Sequence, residues 1–420
     1  MADYSFDYLF IGGGILGSAG ACALSKKLQE SDRDVSIGVI DPDMEGEHSS
    51  TLKNAGGVRA TWRNRSNIEL SKYSIDFFET ISSEIQFRKL GYYWMHAERS
   101  WEEVNKNYPL YKEYGLPTEL HPPEHIPKLL PFVDNLDEVR GLSISRHAGL
   151  IDHYSLREYY RREAKGRGVK FIDRCCVKEM ALNNNSVTEI RAYDLKNISG
   201  TEFDKTVQDI LVEGVIHSTA DTMSIKCGVL INTSGAWAGR ISEMYGFTDT
   251  DVKPRRRQMV VLDCPKLDLS SFGMIIDTSD IYFHKEGQNI LAGYSNMDEP
   301  YGYNFEFSFG GTGEDSPFVK YIWKPLWKRI GGFERVKFIR GWAGIYAETP
   351  DRSGYLGKVP GTDNVYECLA HTGRGLMISH GAATALADLI LDGEFREELK
   401  HAADLSRLRP AGSQFEGLHL

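Results

Sequence analysis

The 420-residue sequence has no Cys-x-x-Cys pair, no internal repeat and no low-complexity segment. Its six cysteines, Cys22, Cys175, Cys176, Cys227, Cys264 and Cys368, are scattered. That excludes a zinc-ligand spacing, so no metal is expected, and it predicts reduced, buried thiols in a cytoplasmic protein. No apolar run approaches the ~20 residues of a membrane span. No basic or long apolar region precedes the first strand, so neither a transmembrane segment nor a secretory signal is expected. Basic charge is also in short supply. Lys and Arg number 49 against 59 Asp and Glu, a net charge of −10. This argues against nucleic acid as a partner and gives no reason to expect an anionic membrane surface. Hydrophobic residues at 41% and charged residues at 26% are ordinary for a globular chain, and the length suits two or three domains.

Glycine, by contrast, is concentrated near the start. Tyr8 to Ile11 reads as a short buried strand, Gly12-Gly13-Gly14 as a turn, and Ile15 to Leu28 as a helix rich in small residues. Gly12, Gly14 and Gly17 meet the pattern G-x-G-x-x-G. The three glycines serve a tight turn, close approach of backbone to a pyrophosphate, and close helix–strand packing. The helix N-terminus then offers N–H groups and a positive dipole end to phosphate. A second apolar strand, Val35 to Ile40, ends in Asp41, 24 residues beyond Gly17. An acid there is placed to accept from ribose hydroxyls. Together these features predict a dinucleotide site.

Further on, Asn67 to Ile81 reads as a helix and Leu90 to Met95 as a strand. Helix Ser155 to Lys165 leads into strand Val169 to Ile172. Further strands are expected at Cys176 to Leu182, Val187 to Tyr193, Ile225 to Thr233, Met259 to Leu262, Ile281 to His284, Ile290 to Tyr294 and Val365 to Leu369. Residues 313 to 333 look helical, and a last helix is expected from about Leu376 to Leu391, stopped by Asp392-Gly393. Arg255-Arg256-Arg257 reads as a solvated charge run.

With the glycine motif, Asp41, the Asn54-Ala55-Gly56-Gly57 loop, Asn232-Thr233-Ser234-Gly235-Ala236-Trp237 and the C-terminal block in place, the chain resembles the D-amino-acid oxidase superfamily of FAD enzymes. That superfamily includes glycine oxidase, sarcosine oxidase and dye-linked proline dehydrogenase. Within it, Pro254 to Gly381 most resembles the branch of the mitochondrial FAD-dependent oxidoreductase that assists assembly of respiratory complex I. The most specific piece is the run Phe333 to Tyr346. The resemblance implies an α/β fold: a Rossmann-like FAD-binding domain with a discontinuous, mixed-sheet α+β substrate domain. Residues 1–85, 148–237 and 340–400 are expected in the first, 86–147 and 238–339 in the second, and 401–420 in a tail that is loosely ordered from Arg407.

By the same resemblance, Gly12, Gly14 and Gly17 hold the FAD pyrophosphate and Asp41 the adenosine ribose. Ser49, Ser50, Lys53, Asn54, Ala55 and Gly56 run beneath flavin and pyrophosphate. Val177 pairs with the adenine, Ser234, Gly235 and Trp237 flank the cofactor, and Gly373, Arg374, Gly375, Leu376 and Met377 lie against the isoalloxazine. Arg59 is the first choice to hold a substrate carboxylate, Arg374 the second. Tyr282, His284 and Tyr346 fall where relatives place roofing side chains, and His371 reads as a structural histidine beside the flavin loop. Two positions depart from sarcosine oxidases. Gly344 stands where a cysteine links to flavin, so the FAD is expected to be non-covalent. Leu291 stands where a lysine assists reaction with oxygen.

The function implied is oxidation of the C–N bond of an amino acid or secondary amine by hydride transfer to flavin N5. The electron acceptor is then a quinone, an electron-transfer protein or oxygen. A flavin monooxygenase using NAD(P)H shares the Gly12–Asp41 fingerprint and is one alternative. A non-catalytic flavoprotein assembly factor is another.

Overall fold

A computed structural model describes residues 2–46, 48–214, 220–247, 251–295, 298–311, 313–410, 413 and 415–417. Two eight-stranded sheets carry the chain. The first is built on the strand β1 (Tyr4–Ile11) and the helix α1 (Ile15–Glu30), followed by the strand β2 (Ile37–Ile40). β1 lies between β2 and Asp221–Asn232, parallel to both. Lys170–Ile172 extends the parallel set beyond β2, and Val365–Leu369 extends it beyond Asp221–Asn232. Leu9, Phe10 and Val39 are fully buried, as expected for strands covered on both faces. Helix α1 packs on one face, with Ala19, Ala21, Leu24 and Leu28 in the same core as Phe10.

The second sheet runs in the order Lys337–Glu348, Lys253–Asp263, Asn289–Tyr294, Ile281–Glu286, Met274–Ile276, Tyr92–His96, Gly141–Ser145, Thr118–His121. Its two faces divide by the strand period of two. Val260, Leu262, Phe283 and Ile290 point into a second core. Met259, Val261, Tyr282 and Leu291 point the other way, with Tyr92 and Met274. Among the described residues, no helix is long and apolar enough to cross a membrane. All six cysteines are buried and unpaired.

Several expectations need correction. The strand Lys337–Glu348 belongs to the second sheet, so residues 340–348 do not sit in the first sheet, which resumes at Tyr355–Lys358. Ile241 and Tyr245, placed in the second domain by sequence, pack with Leu9 and Ile11 of the first. The arginine run is not solvated. It lies inside the strand Lys253–Asp263, where Arg255 and Arg257 both bind buried Glu348, at 3.2 and 3.0 Å, and Arg256 binds Glu299 at 2.6 Å. The described part of the tail is packed rather than loose. Arg407 pairs with Glu367 at 2.6 Å and Arg409 with Asp351 at 2.7 Å. Glu416 is fully buried. Its carboxylate accepts from the backbone N–H of Arg63 at 3.0 Å and Asn64 at 3.3 Å, and from Asn67 Nδ2 at 3.0 Å. It thereby supplies the acidic partner that the start of the helix Arg65–Thr80 lacks in its own first turn. Positions 411, 412, 414 and 418–420 of the tail lie outside the described residues.

Candidate active site

One cavity of ≈490 Å³ runs from the glycine turn to the inner face of the second sheet. At its first end the chain offers backbone. Gly12 adopts φ +99°, a conformation that L side chains rarely take, and a Cβ there would lie 2.7 Å from Thr233 O. A Cβ on Gly17 would press into the Gly12 carbonyl, so the helix can lie this close to the turn only without one. α1 therefore begins within the lining of the cavity. Its Ile15 N–H donates to Thr51 Oγ1 at 3.0 Å, and its N-cap, Gly14, provides no capping side chain. Such a helix start is suited to phosphate oxygens. Asp41 is oriented by two backbone donors, Gly13 N at 2.7 Å and Asp43 N at 2.9 Å. Burial raises its pKa to about 6, against the lowering effect of those two bonds. An acid held this way gains from further donors, as a ribose diol supplies.

The middle of the cavity is the loop from Ser49 to Gly56, with Ser49, Ser50, Lys53, Asn54, Ala55 and Gly56 all on its wall. Hydrogen bonds pin this loop to the second sheet. Ser50 Oγ donates to Ile345 O at 2.6 Å and Trp342 Nε1 to Lys53 O at 3.0 Å. Asn54 closes the turn through Gly56 N at 2.6 Å. Val177, Ser234, Gly235 and Trp237 also line the cavity, as do Gly373, Arg374, Gly375, Leu376 and Met377; this last run reaches from Tyr346, which a Cβ on Gly373 would meet, to Ile15 and Leu16 at the start of α1, which a Cβ on Gly375 would meet. The last helix starts at Ser379 rather than Leu376, and the lining residues before it form turns. A Cβ on Gly344 would lie 2.7 Å from Lys53 Cβ, so the loop occupies the room a cysteine would need.

The far end is built from side chains. Tyr92, Tyr282 and Tyr346 face the cavity from three strands of the second sheet. Burial raises all three phenol pKa values, so each hydroxyl stays protonated. Tyr282 and Tyr346 share a hydrogen bond, and Tyr282 Oη lies 3.1 Å from Met259 Sδ. Arg59 and Arg374 approach the same indole, with Arg59 Cζ 3.6 Å and Arg374 Cζ 5.1 Å from the Trp62 ring. Arg59 is engaged: it donates to Thr61 O and also approaches Trp94. Arg374 is 1% exposed and donates through Nη2 to Arg352 O, while its Nε and Nη1 are buried with no hydrogen-bond partner among the described residues. Burial lowers its pKa to about 10, with Glu416 acting to raise it and Arg59 to lower it further. Arg374 contributes to the cavity lining, and a charged guanidinium with two buried donors that find no acceptor among the described residues is satisfied best by an anion.

Two sequence candidates lie off the cavity lining: Gly17, which works through packing, and His284. The His284 ring sits between strand and loop, with Nε2 2.9 Å from Ala55 O and Nδ1 2.9 Å from Lys285 O. It ties the roof to the loop and is not a roofing side chain. His371 lines the cavity, but its Nδ1 is 3.0 Å from Ser353 O and burial lowers its pKa to about 3. Leu291 is buried with Tyr92, Met259 and Tyr282 on the inner face of the roof. Arg257, Tyr92 and Trp62 line the site but were not singled out in sequence. Arg257 was hidden in its charge run, and the two aromatics carry no motif.

The family model for FAD dependent oxidoreductase (DAO) matches residues 7–389. FAD-dependent oxidoreductase domain-containing protein 1 of Xenopus laevis is 27% identical over 420 residues, covering 93% of this chain and 80% of that protein. Among solved structures, L-proline dehydrogenase from P. horikoshii superposes with a TM-score of 0.77 at 22% identity, covering 95% of this chain and 96% of that one. Glycine oxidase from Geobacillus kaustophilus gives 0.73 at 17%, covering 96% and 99%. At these identities the two likenesses describe the fold.

Proposed function

This chain belongs to the family of FAD-dependent oxidoreductases, whose model spans most of its length, and from that premise we propose that it oxidises the C–N bond of an amine bearing a carboxylate. The observation that carries the reading is Arg374, a buried residue of the cavity lining whose Nε and Nη1 have no hydrogen-bond partner among the described residues. FAD, when bound, supplies the hydride acceptor. Gly12, Gly14, the start of α1 and Asp41 are the groups suited to its pyrophosphate and ribose. The loop Ser49 to Gly56 and the turn Gly373 to Met377 are suited to its ring system.

Arg374 then takes the carboxylate through its two unused donors. Arg59, held on Trp62, adds positive potential beside it. The hydroxyls of Tyr282 and Tyr346, kept protonated, donate to the substrate and fix its orientation. Among the described lining residues, the far end of the cavity carries no carboxylate, and its one histidine, His371, is held neutral with Nδ1 on a carbonyl. The protein therefore supplies no charged base there, and the amine must arrive unprotonated. The test is an anaerobic screen of amino acids and secondary amines for flavin bleaching, with and without the carboxylate. Carboxylate-bearing amines should bleach wild type, and the rate should rise with pH along the amine's own titration. Bleaching that is indifferent to the carboxylate removes the reading.

A further inference from the structure

The acidic balance of the whole chain hides a segment of opposite sign. From Lys320 to Arg340 the sequence holds seven basic residues, Lys320, Lys324, Lys328, Arg329, Arg335, Lys337 and Arg340, against one acid, Glu334. Arg329 is buried on Asp277 at 2.6 Å. The other six are exposed. Lys320, Lys324 and Lys328 follow one another at a spacing of four along consecutive helical turns, Val319–Trp323 and Lys324–Arg329, and so share a face. The opposite face is anchored, because Val319, Ile322 and Leu326 lie in the core of the second domain.

Beside the lysines stands an apolar group that folding leaves outside. Trp327, next to Lys328 in the chain, is 43% exposed and stacks on Trp323 at 5.1 Å. Core contacts hold the helix in place under this face. Phe318 meets Phe338 edge-on at 5.4 Å, and Trp323 Nε1 donates to Phe333 O at 2.9 Å.

We propose that this face binds the anionic surface of a lipid bilayer. An acidic protein would require only the cations. The bilayer boundary uses the whole arrangement, with the three lysines on headgroup phosphates and the indole of Trp327 at the acyl boundary. The association is peripheral, since no described helix can span, and it stands independently of the chemistry assigned to the cavity.

The test is co-sedimentation of the FAD-loaded protein with phosphatidylcholine vesicles, with and without phosphatidylglycerol. Wild type should sediment with the anionic vesicles alone and be released by salt. Replacing Lys320, Lys324 and Lys328 together with Glu should weaken partition at least about a hundredfold, at roughly tenfold per 1.4 kcal/mol and ~1 kcal/mol for each basic residue removed. Trp327→Ser, which leaves the charge alone, should weaken it several-fold. Unchanged flavin absorbance in both variants shows that the fold is intact. Equal partition onto both kinds of vesicle, or equal binding by wild type and the triple variant, overturns the proposal. Retention on an immobilised acidic polypeptide with no partition onto vesicles overturns it in favour of an acidic protein.

Discussion

The two ends of the cavity are made of different material. At the glycine end, the groups presented are backbone N–H donors from one strand–turn–helix unit, and the key residues fall within Gly12 to Asp41. At the far end, the groups are side chains gathered from six separate stretches: Arg59 with Trp62, Tyr92, Arg257, Tyr282, Tyr346 and Arg374. A backbone site requires only glycines at fixed spacing. A side-chain site requires that distant strands be brought into register, as when Arg257 is set against Gly344 and Tyr282 against Gly293. The first kind suits a constant ligand, and the second can change with the substrate while the fold stays.

If that division holds, substitutions at one end should leave the function of the other intact. The largest effect is expected from Arg374→Ala. Losing a buried, charge-assisted pair typically costs about 2–5 kcal/mol. The half-saturating concentration of an acidic substrate in anaerobic flavin reduction should rise about 30-fold or more, with FAD content near wild type. Arg374→Lys should recover part of it. Arg59→Ala should cost less than Arg374→Ala, because Arg59 already has protein partners. The reverse order would return the carboxylate to Arg59. Loss of FAD from either variant would erase the division between the ends.

At the other end, Gly17→Ala forces a methyl onto the Gly12 carbonyl, and overpacking of this kind typically costs about 1–3 kcal/mol. FAD occupancy and melting temperature should both fall, while residual holoenzyme keeps the wild-type half-saturation. Normal FAD occupancy would mean that the turn can shift freely. A smaller, graded effect belongs to Asp41. Its folded pKa of about 6 stands above the ordinary 3.8. Without FAD, the stability it contributes is therefore present below 3.8 and lost as pH rises through about 6. FAD binding has the opposite sign, because ribose donors favour the ionised carboxylate. Affinity should hold above pH 6 and weaken as pH falls through it, by at most about tenfold per unit. Asp41→Asn should flatten that dependence in a fluorescence titration.

The same contrast explains what could be read in advance. Gly12, Gly14, Gly17 and Asp41 were legible because each satisfies a local backbone requirement. The strands were legible from apolar runs, and Val365–Leu369 has the predicted bounds. Arg374 was named, but its two idle donors are a fact of packing. Arg255 and Arg257 looked solvated because Glu348, which neutralises both, lies about ninety residues away in sequence and becomes their neighbour only when Lys253–Asp263 pairs with Lys337–Glu348. The tail misled for a similar reason: a lone Glu416 in a polar stretch gives no sign that three donors around the start of a helix await it. His284 alternates correctly with Tyr282 along its strand. Only the position of the Ala55 carbonyl shows that the histidine meets the loop and not the cavity.

The position of β1 has a consequence for how the molecule is made. As the chain leaves the ribosome, β1 appears before β2 and can pair with it almost at once. Its other edge waits for Asp221–Asn232, which at synthesis rates of about 5–20 residues per second arrives roughly 10–40 s later. Val365–Leu369 and Glu416 come later still. Through that interval a short apolar strand has an open edge, the condition under which nascent chains pair wrongly with one another. Production of this protein should therefore depend on holding chaperones, and late truncations should act on solubility before they act on chemistry.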